Sequence, residues 1–216
     1  MLSRWSIFAL AVLAFTAVRG VALPAEPVHT LSKRVVYNCS DTEKLAIISA
    51  AYNSGKAMAA DARNYINSHG ASDSLVKTYF GNDTGLIPHV TWLYNQIANE
   101  AGTNYTLTCD YDPSGACDGG TVVARTNYLR NASRTDFCPR FYQRLPMSCS
   151  TIIDSMNGSR EDTIVHEMSH ALGRTTDYNG SCSSSRTLAL NNATAAVNHA
   201  YAYGCFVMEV YKVLHC

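Results

Sequence analysis

The chain has 216 residues, and its 17 Lys and Arg residues balance its 17 Asp and Glu residues, so its formal net charge is zero. It contains no basic run interleaved with aromatic residues, so we predict no nucleic acid partner. Its eight cysteines are an even number, which in a secreted chain favours four disulfides. These cysteines are Cys39, Cys109, Cys117, Cys138, Cys149, Cys182, Cys205 and Cys216.

Residues 1–22 have the pattern of a secretory signal. Arg4 supplies a positive charge, residues 7–18 form an apolar run, and small residues end the segment at Ala22. The apolar run is too short to span a bilayer, so a signal is favoured over the alternative of a membrane anchor. We therefore predict a secreted, extracellular protein with no membrane anchor after signal removal.

Residues 23–34 are predicted to form a short pro-segment. They end in Lys33-Arg34, a dibasic pair of the kind that processing proteases cut, which would make Val35 the mature N-terminus. Residues 35–216 are long enough for one domain with a sizeable core and contain no internal repeat. We expect a single domain and a monomer.

Seven Asn-x-Ser/Thr sequons agree with passage through a secretory pathway. Asn38 is the weakest of them, because a disulfide at the neighbouring Cys39 would hinder its modification. A glycan on Asn179 would crowd the candidate metal site described below. The glycosylation candidates are Asn82, Asn104, Asn131, Asn157, Asn179 and Asn192.

Helical patterns dominate the predicted scaffold. The first helix begins with a capping box at residues 40–43 and ends near Asn67, and further helices are predicted at residues 74–80 and 90–101. Short strands are predicted at residues 105–109 and 121–124, from their β-branched and aromatic content, and a last helix at residues 195–212. The pattern predicts an α+β fold that is mainly α-helical.

Residues 166–170, His-Glu-Met-Ser-His, form an HExxH motif. On a helix, residues four apart share one face, so the imidazoles of His166 and His170 can converge on one metal ion. Zinc accepts neutral imidazole, and a catalytic zinc site has three protein ligands and an open position for water. Glu167 projects beside that position, where its carboxylate can accept a proton from the water.

The residues around the motif predict where its helix begins and ends. Ser159 can cap the helix, and Asp162, three residues on, can complete a capping box as a weaker partner than the usual Glu or Gln. Gly173 follows the last apolar position, Leu172, as a helix stop would.

The third metal ligand has two candidates. Thr176 occupies the position at which one class of HExxH enzymes places a third histidine, and a neutral hydroxyl is a poor zinc ligand. Asp177 follows directly and offers a carboxylate oxygen, whereas Glu209 lies far downstream on the last predicted helix. We favour Asp177 because the short connection leaves little loop to order, and keep Glu209 as the alternative.

The chain resembles the deuterolysin group of fungal secreted zinc endopeptidases, the aspzincins. The resemblance rests on residues 162–170 followed by the Thr-Thr-Asp-Tyr segment at residues 175–178. It extends to residues 37–40, 137–139 and 192–203, and so covers most of the mature part.

The resemblance implies a zincin-like domain with a small β-sheet beside the HExxH helix. It also implies one zinc ion per chain, with His166, His170 and Asp177 as ligands and Glu167 as the general base. Proteins or peptides would be the substrates. An extended substrate could pair with the edge of the small sheet.

The chain departs from the family pattern at two places. The family usually continues Asp-x-x-Tyr-Gly, whereas here Tyr178 follows the aspartate directly and Gly180 stands third. The tyrosine that would hold the oxyanion is therefore either Tyr178, displaced, or missing. Residues 192–194 read Asn-Ala-Thr, where family members that cut beside lysine have Asn-Ala-Asp, so we do not predict strict lysine specificity. The alternative function is a secreted zinc-binding antigen or scavenger, or a host-directed effector, with weak or no proteolysis.

Disulfide pairing is predicted on two grounds. The resemblance favours Cys39 with Cys109 and Cys117 with Cys138. Proximity in sequence favours Cys205 with Cys216, which leaves Cys149 with Cys182.

Overall fold

The computed structural model describes residues 35–100, 105–109, 112, 115, 117, 119–129, 132–154, 158–178 and 180–216. The predicted signal and pro-segment, residues 1–34, lie outside the described residues, as do the sequons at Asn104, Asn131, Asn157 and Asn179. The sequons at Asn38, Asn82 and Asn192 are described and exposed. Their modification stays a prediction.

The described residues form a helical domain with one small sheet. Its strands are β1 Val35–Asn38, β2 Tyr105–Thr108, β3 Ala124–Leu129 and β4 Ala132–Phe137. Its α-helices are α1 Thr42–His69, α2 Ser74–Phe80, α3 Ile87–Asn99, α4 Pro139–Gln143, α5 Cys149–Asp154, α6 Arg160–Gly173, α7 Cys182–Asn191, α8 Ala193–Val197 and α9 Ala200–His215. Within the described part of the chain, no helix combines the length and apolar character needed to cross a membrane.

Helix α1 begins one residue later than its predicted capping box. The N-cap is Asp41, not Ser40, and its carboxylate accepts hydrogen bonds from the backbone N–H groups of Glu43 and Lys44 at 3.0 and 3.1 Å. One carboxylate oxygen thereby satisfies two of the free N–H groups at the helix start. The next two helices agree with prediction: α2 has the predicted bounds, and α3 starts three residues early because a 3-10 turn at Thr84–Leu86 leads into it.

The sheet is only partly as predicted. Its order is β1-β2-β4-β3, with β1, β2 and β4 parallel and β3 antiparallel to β4. The prediction of β2 is confirmed to within one residue, whereas the strand predicted at residues 121–124 is wrong because β3 begins only at Ala124. The prediction missed β1 and β4. β3 is the edge strand on the side of α6.

A cluster of aromatic rings packs α9 against α2 and α3. Phe80, Tyr94, Tyr203 and Phe206 are fully buried, with ring centroids of contacting pairs 5.2 to 6.4 Å apart. The Tyr94 hydroxyl donates to the carbonyl of Tyr203 at 3.0 Å, so no buried phenol is left without a partner there. The single helix predicted at residues 195–212 is therefore two helices, since the chain bends at Asn198 and His199 before α9 enters this core.

Four disulfides are present, and two of their predicted pairings are wrong. Cys39–Cys109 and Cys117–Cys138 form as the resemblance implied. The other bonds are Cys149–Cys216 and Cys182–Cys205, rather than Cys205–Cys216 and Cys149–Cys182. The physical reason is that α9 runs unbroken almost to the C-terminus, so Cys205 and Cys216 are separated by about 16 Å of helix, too far for an S–S bond.

Candidate metal centre

Helix α6 starts at the predicted cap. The Ser159 hydroxyl accepts from the backbone N–H of Asp162 at 3.2 Å, and the Asp162 carboxylate accepts from the backbone N–H of Ser159, which completes the capping box. Glu161 and Asp162 also place negative charge at the positive end of the helix dipole. The motif one turn later is thus carried on a helix with a fixed start.

The two motif histidines converge as their spacing predicts. The Nε2 atoms of His166 and His170 are 3.1 Å apart, and each residue is almost buried, at 9 % exposure. The carbonyl of Thr175 lies 2.7 Å from Nδ1 of His170, which places the proton on Nδ1 and leaves the Nε2 lone pair facing His166. The Nε2 atoms of the two imidazoles thus face one point, as two ligands of a single cation would.

The helix ends differently from the prediction. The left-handed residue is Arg174, with φ of 57°, and Gly173 is still helical. Gly173 is required for packing instead, because a Cβ at this position would lie 2.4 Å from Cδ2 of Leu93. The left-handed turn reverses the chain within three residues and returns Asp177 to the imidazoles.

Asp177 completes a group of three donors. Its Oδ1 lies 3.3 Å from Nε2 of His166, and its Oδ2 lies 3.3 Å from Nε2 of His170. Burial alone would raise the pKa of Asp177, but the two imidazoles hold it well below its usual range. In His170, burial lowers the pKa, and the carboxylates of Asp177 and Glu167 raise it overall.

The spacing of these donors suits zinc. Zinc–nitrogen and zinc–oxygen bonds of about 2.0–2.1 Å in a tetrahedron require ligand atoms about 3.3–3.4 Å apart. The two Nε2 atoms are 3.1 Å apart, each lies 3.3 Å from a different oxygen of Asp177, and one ligand atom from each residue lies within 4.8 Å of the others. Two neutral imidazoles and one carboxylate are also a donor set that zinc accepts, and three protein ligands leave a fourth position open.

The backbone around Asp177 is fastened to the junction between α8 and α9. The N–H of Thr176 donates to the carbonyl of Asn198 at 2.8 Å, and the N–H of Ala200 donates to the carbonyl of Thr176 at 3.2 Å. The fully buried ring of His199 also lies against this segment, with Nδ1 3.2 Å from the carbonyl of Thr176 and 3.3 Å from the N–H of Tyr178. His199 therefore supports the loop that carries Asp177.

Glu209, the alternative third ligand, is not in this group. Its carboxylate lies 3.8 Å from a guanidinium nitrogen of Arg186 and 3.4 Å from the hydroxyl of Tyr79. The described residues therefore bring together His166, His170 and Asp177, and leave Glu209 in a separate ion pair.

Glu167 lies beside the donors and is held by the sheet. Its side chain is buried, with Oε1 3.9 Å from Nε2 of His166. The Thr126 hydroxyl, on β3, donates to Oε2 at 2.7 Å and is itself 2.7 Å from the hydroxyl of Thr135. The Tyr105 hydroxyl lies 2.8 Å from that of Thr135, so a chain of three hydroxyls ends on one Glu167 oxygen. No local sequence pattern predicts this series of hydroxyls, because its members come from three strands.

Two tyrosines differ in their relation to the site. Tyr178, the predicted candidate, is half exposed and its ring packs on His199, with 5.8 Å between ring centroids. Tyr201 packs edge-on against His166, with 4.5 Å between ring centroids, and lines the cleft in front of the donors. Burial raises the pKa of Tyr201, and the charge of Asp177 adds to the rise. Sequence reasoning missed Tyr201 because it lies 24 positions beyond Asp177.

The donors open into a cleft of about 420 Å³. Residues 121–123 and Ala124, the first residue of the edge strand β3, form one wall, and residues 180–182 form part of the other. The far end lies at the start of α6, between α4 and α9. This is a solvent-accessible groove that leads past Glu167 and Asp177, as a site acting on an extended chain requires.

The site consists of two imidazoles four residues apart on a helix, a carboxylate from the following turn and a buried glutamate beside them. These groups define a candidate zinc site of the HExxH type. This site stands on an α+β scaffold that is mainly helical, so the predicted fold class is confirmed.

Comparison with known proteins identifies the family. The family model of the aspzincins, described as lysine-specific metallo-endopeptidase, matches residues 65–208. The chain belongs to this family, and the resemblance predicted from the sequence is confirmed.

Individual relatives agree with this assignment. A peptidyl-Lys metalloendopeptidase of Armillaria mellea is 29% identical over 181 residues, which cover 82% of this chain and 47% of the relative. One of Grifola frondosa is 28% identical over 195 residues, which cover 86% of this chain and 51% of the relative. The chain thus spans about half the length of these curated relatives. A solved zinc peptidase from Grifola frondosa shares the fold, with a TM-score of 0.63 at 22% identity over 78% of this chain and 96% of that chain.

Proposed function

We propose that this chain is a secreted zinc endopeptidase that binds one zinc ion through His166, His170 and Asp177. The single observation that carries the proposal is the position of Glu167 beside the three donors. One of its oxygens is held by Thr126, and the other faces the imidazole of His166 at 3.9 Å. A protein that only stored zinc would have no need of a buried base fixed beside the open metal position.

Zinc, when bound, would polarise the scissile carbonyl and make a water molecule acidic. Glu167 accepts a proton from the attacking water at Oε1 and delivers it to the nitrogen of the leaving amine. The hydroxyl of Thr126 keeps the carboxylate of Glu167 in one orientation during both transfers. The hydrogen bond from Nδ1 of His170 to the carbonyl of Thr175 keeps Nε2 free to act as a ligand.

We assign the contact with the developing oxyanion to Tyr201 rather than to Tyr178. The ring of Tyr201 lies against His166 and lines the cleft, whereas Tyr178 packs outside the cleft on His199. The Tyr201 hydroxyl lies 3.8 Å from the point where Gly180 would carry a Cβ. This phenol therefore reaches the position at which the family pattern has a tyrosine side chain, and it can donate a hydrogen bond to the carbonyl oxygen as charge develops.

Secretion and processing form part of the proposal. The signal-like residues 1–22 and four disulfides support an extracellular location. The dibasic pair Lys33-Arg34 supports processing that would leave Val35 as the first residue of the mature chain. Proteins or peptides are the proposed substrates.

The test compares zinc content and cleavage of an unfolded protein by the mature chain and its Glu167→Gln variant. We expect one zinc ion per chain in both, measured by plasma mass spectrometry, and cleavage by the wild type alone. Glu43→Gln is the matched control, because Glu43 is exposed in the first turn of α1, on a different helix from the motif. Cleavage by a homogeneous Glu167→Gln preparation would refute the assigned role of Glu167. Zinc without cleavage in the wild type would instead favour the zinc-binding antigen or effector.

A further inference from the structure

Two arginines and one aspartate line the cleft outside the metal donors. Arg144 lies beside Asp162 at the start of α6, and Arg140, on α4, donates to the carbonyl of Thr121 at 3.1 Å. The opposite side is formed by Gly204, Cys205 and Met208 of α9, which carry no charge. The acidic residues elsewhere in the cleft, Glu167 and Asp177, belong to the metal centre itself.

Arg144 is fixed in this end of the cleft. Its Nη1 donates to the hydroxyl of Thr163 at 2.6 Å and to the carbonyl of Ser159 at 3.4 Å. The guanidinium rests over Gly158, where a Cβ would lie only 2.8 Å from Nη1. Thr163 precedes His166 by three residues, so the guanidinium is anchored about 4.5 Å along the helix axis from the first metal donor.

The remaining N–H groups of Arg144 are free for a ligand. All of its hydrogen bonds to described residues are made by Nη1, and Nε and Nη2 make none. Asp162 forms an ion pair with Arg144 at 3.9 Å from Nη1 and also accepts the backbone N–H of Ser159, and among the described residues no carboxylate pairs with the Nε and Nη2 side of the guanidinium. A lysine side chain there would meet the guanidinium of Arg144, and the carboxylate of Asp162 is already paired with that guanidinium.

Resting on the proposed peptidase function, we infer that Arg144 recognises an acidic side chain next to the scissile bond. The substrate class is therefore peptides with Glu or Asp at one of the two residues that flank the cleaved bond. An arginine presents two parallel N–H groups that match a carboxylate, and its position one helical turn from the metal centre is within reach of a neighbouring side chain. The curated relatives are named for lysine, so this chain differs from them in preference.

The experiment measures binding and cleavage separately. Three series of fluorescent peptides carry Glu, Gln or Lys at either flanking position and are otherwise neutral. Binding is followed by fluorescence anisotropy with the zinc-loaded Glu167→Gln chain, and cleavage with the wild type. We expect the best Glu peptide to bind about 10-fold more tightly than its Gln counterpart, and the Lys peptide to bind most weakly. Introducing Arg144→Gln into the Glu167→Gln chain should reduce the ratio of Glu-peptide to Gln-peptide affinity to about one. Arg144→Lys should leave an intermediate ratio of these affinities.

The control is Arg63→Gln, because Arg63, on α1, donates to Asn95 on α3, is not among the residues that line the cleft, and should keep the full preference. The inference would be overturned by any of three results. The Lys peptide could bind as tightly as the Glu peptide or more tightly, the peptides could show no binding or no preference, or the Glu preference could survive Arg144→Gln. Failure of the wild type to cut any peptide refutes the peptidase proposal, and the binding data still decide the role of Arg144. Melting temperatures show whether the variants are folded. If an Arg144 variant is not folded, the comparison of Glu, Gln and Lys peptides with Arg144 in place still tests the inference.

Discussion

Replacing Thr126 by valine should slow cleavage without displacing zinc. The hydroxyl of Thr126 donates to Oε2 of Glu167 at 2.7 Å, and among described residues this is the only side chain that donates to that carboxylate. Valine has nearly the shape of threonine but no hydrogen-bond donor. The substitution therefore removes the hydrogen bond that orients the carboxylate of Glu167 and leaves the side chains of the metal donors unchanged.

The size of the effect follows from the kind of bond that is lost. A hydrogen bond to a charged group contributes about 1.5–3 kcal/mol, and Glu167 is too buried for water to replace the donor freely. If about 1.4 kcal/mol of this appears in the barrier, kcat falls about 10-fold. Thr126 is not among the described residues that line the cleft, so KM should change by less than about two-fold.

The assay is steady-state cleavage of a quenched peptide, with zinc content and melting temperature measured on the same preparations. Thr126→Ser keeps the hydroxyl and should retain most of the wild-type kcat, which separates loss of the donor from a packing defect. A Thr126→Val variant with wild-type kcat, or one that loses zinc in proportion to activity, would contradict the role given to this hydroxyl.

Three further predictions concern the metal donors and the scaffold. Asp177→Asn should weaken zinc binding by more than about 100-fold in a chelator competition, which exceeds the loss seen when a residue hydrogen-bonded to a metal ligand is replaced. Glu209→Gln should leave the zinc affinity unchanged. Equal affinities in the two variants would refute Asp177 as a ligand. Gly173→Ala should lower the free energy of unfolding by about 1–3 kcal/mol in urea titrations, because its Cβ would overlap Leu93, and a Leu93→Ala background should remove that penalty. Serine at both Cys149 and Cys216, which close a loop with a sequence separation of 67, should cost about 4 kcal/mol in the same titrations, and an unchanged midpoint would contradict it.

The sequence predicted the local parts of the site well. The convergence of His166 and His170 follows from helix periodicity, the capping box at Ser159 from residues three apart, and the return of Asp177 from a short turn. Each of these depends on fewer than 20 consecutive residues. Their geometry is therefore determined before any long-range packing is known.

The parts that the sequence did not predict depend on contacts between distant segments. Strand β4 was missed because it buries Thr135 and Asp136, which the alternation of polar and apolar residues would place outside. They are inside because they are satisfied there: Thr135 bonds to Tyr105, and the Asp136 carboxylate accepts from Thr108 and Asn127 at 2.7 Å each. Arg144, Thr126 and Tyr201 likewise have no local signature, because only the assembled fold brings them to the cleft.

The attachment of Asp177 to the junction of α8 and α9 links ion binding to tertiary structure. Two donors belong to α6, and the third is positioned by backbone bonds to Asn198 and Ala200. Zinc binding would therefore stabilise the helix packing that positions Asp177. Loss of that packing would weaken zinc binding by the same coupling free energy. A substitution at Gly204, where a Cβ would lie 3.0 Å from the carbonyl of Asp162 and 3.5 Å from Cβ of His166, would separate α6 from α9 and weaken zinc binding without changing a ligand atom. Chelator titrations of such variants would then serve as a measure of packing between these two helices, with each tenfold loss of affinity equal to about 1.4 kcal/mol.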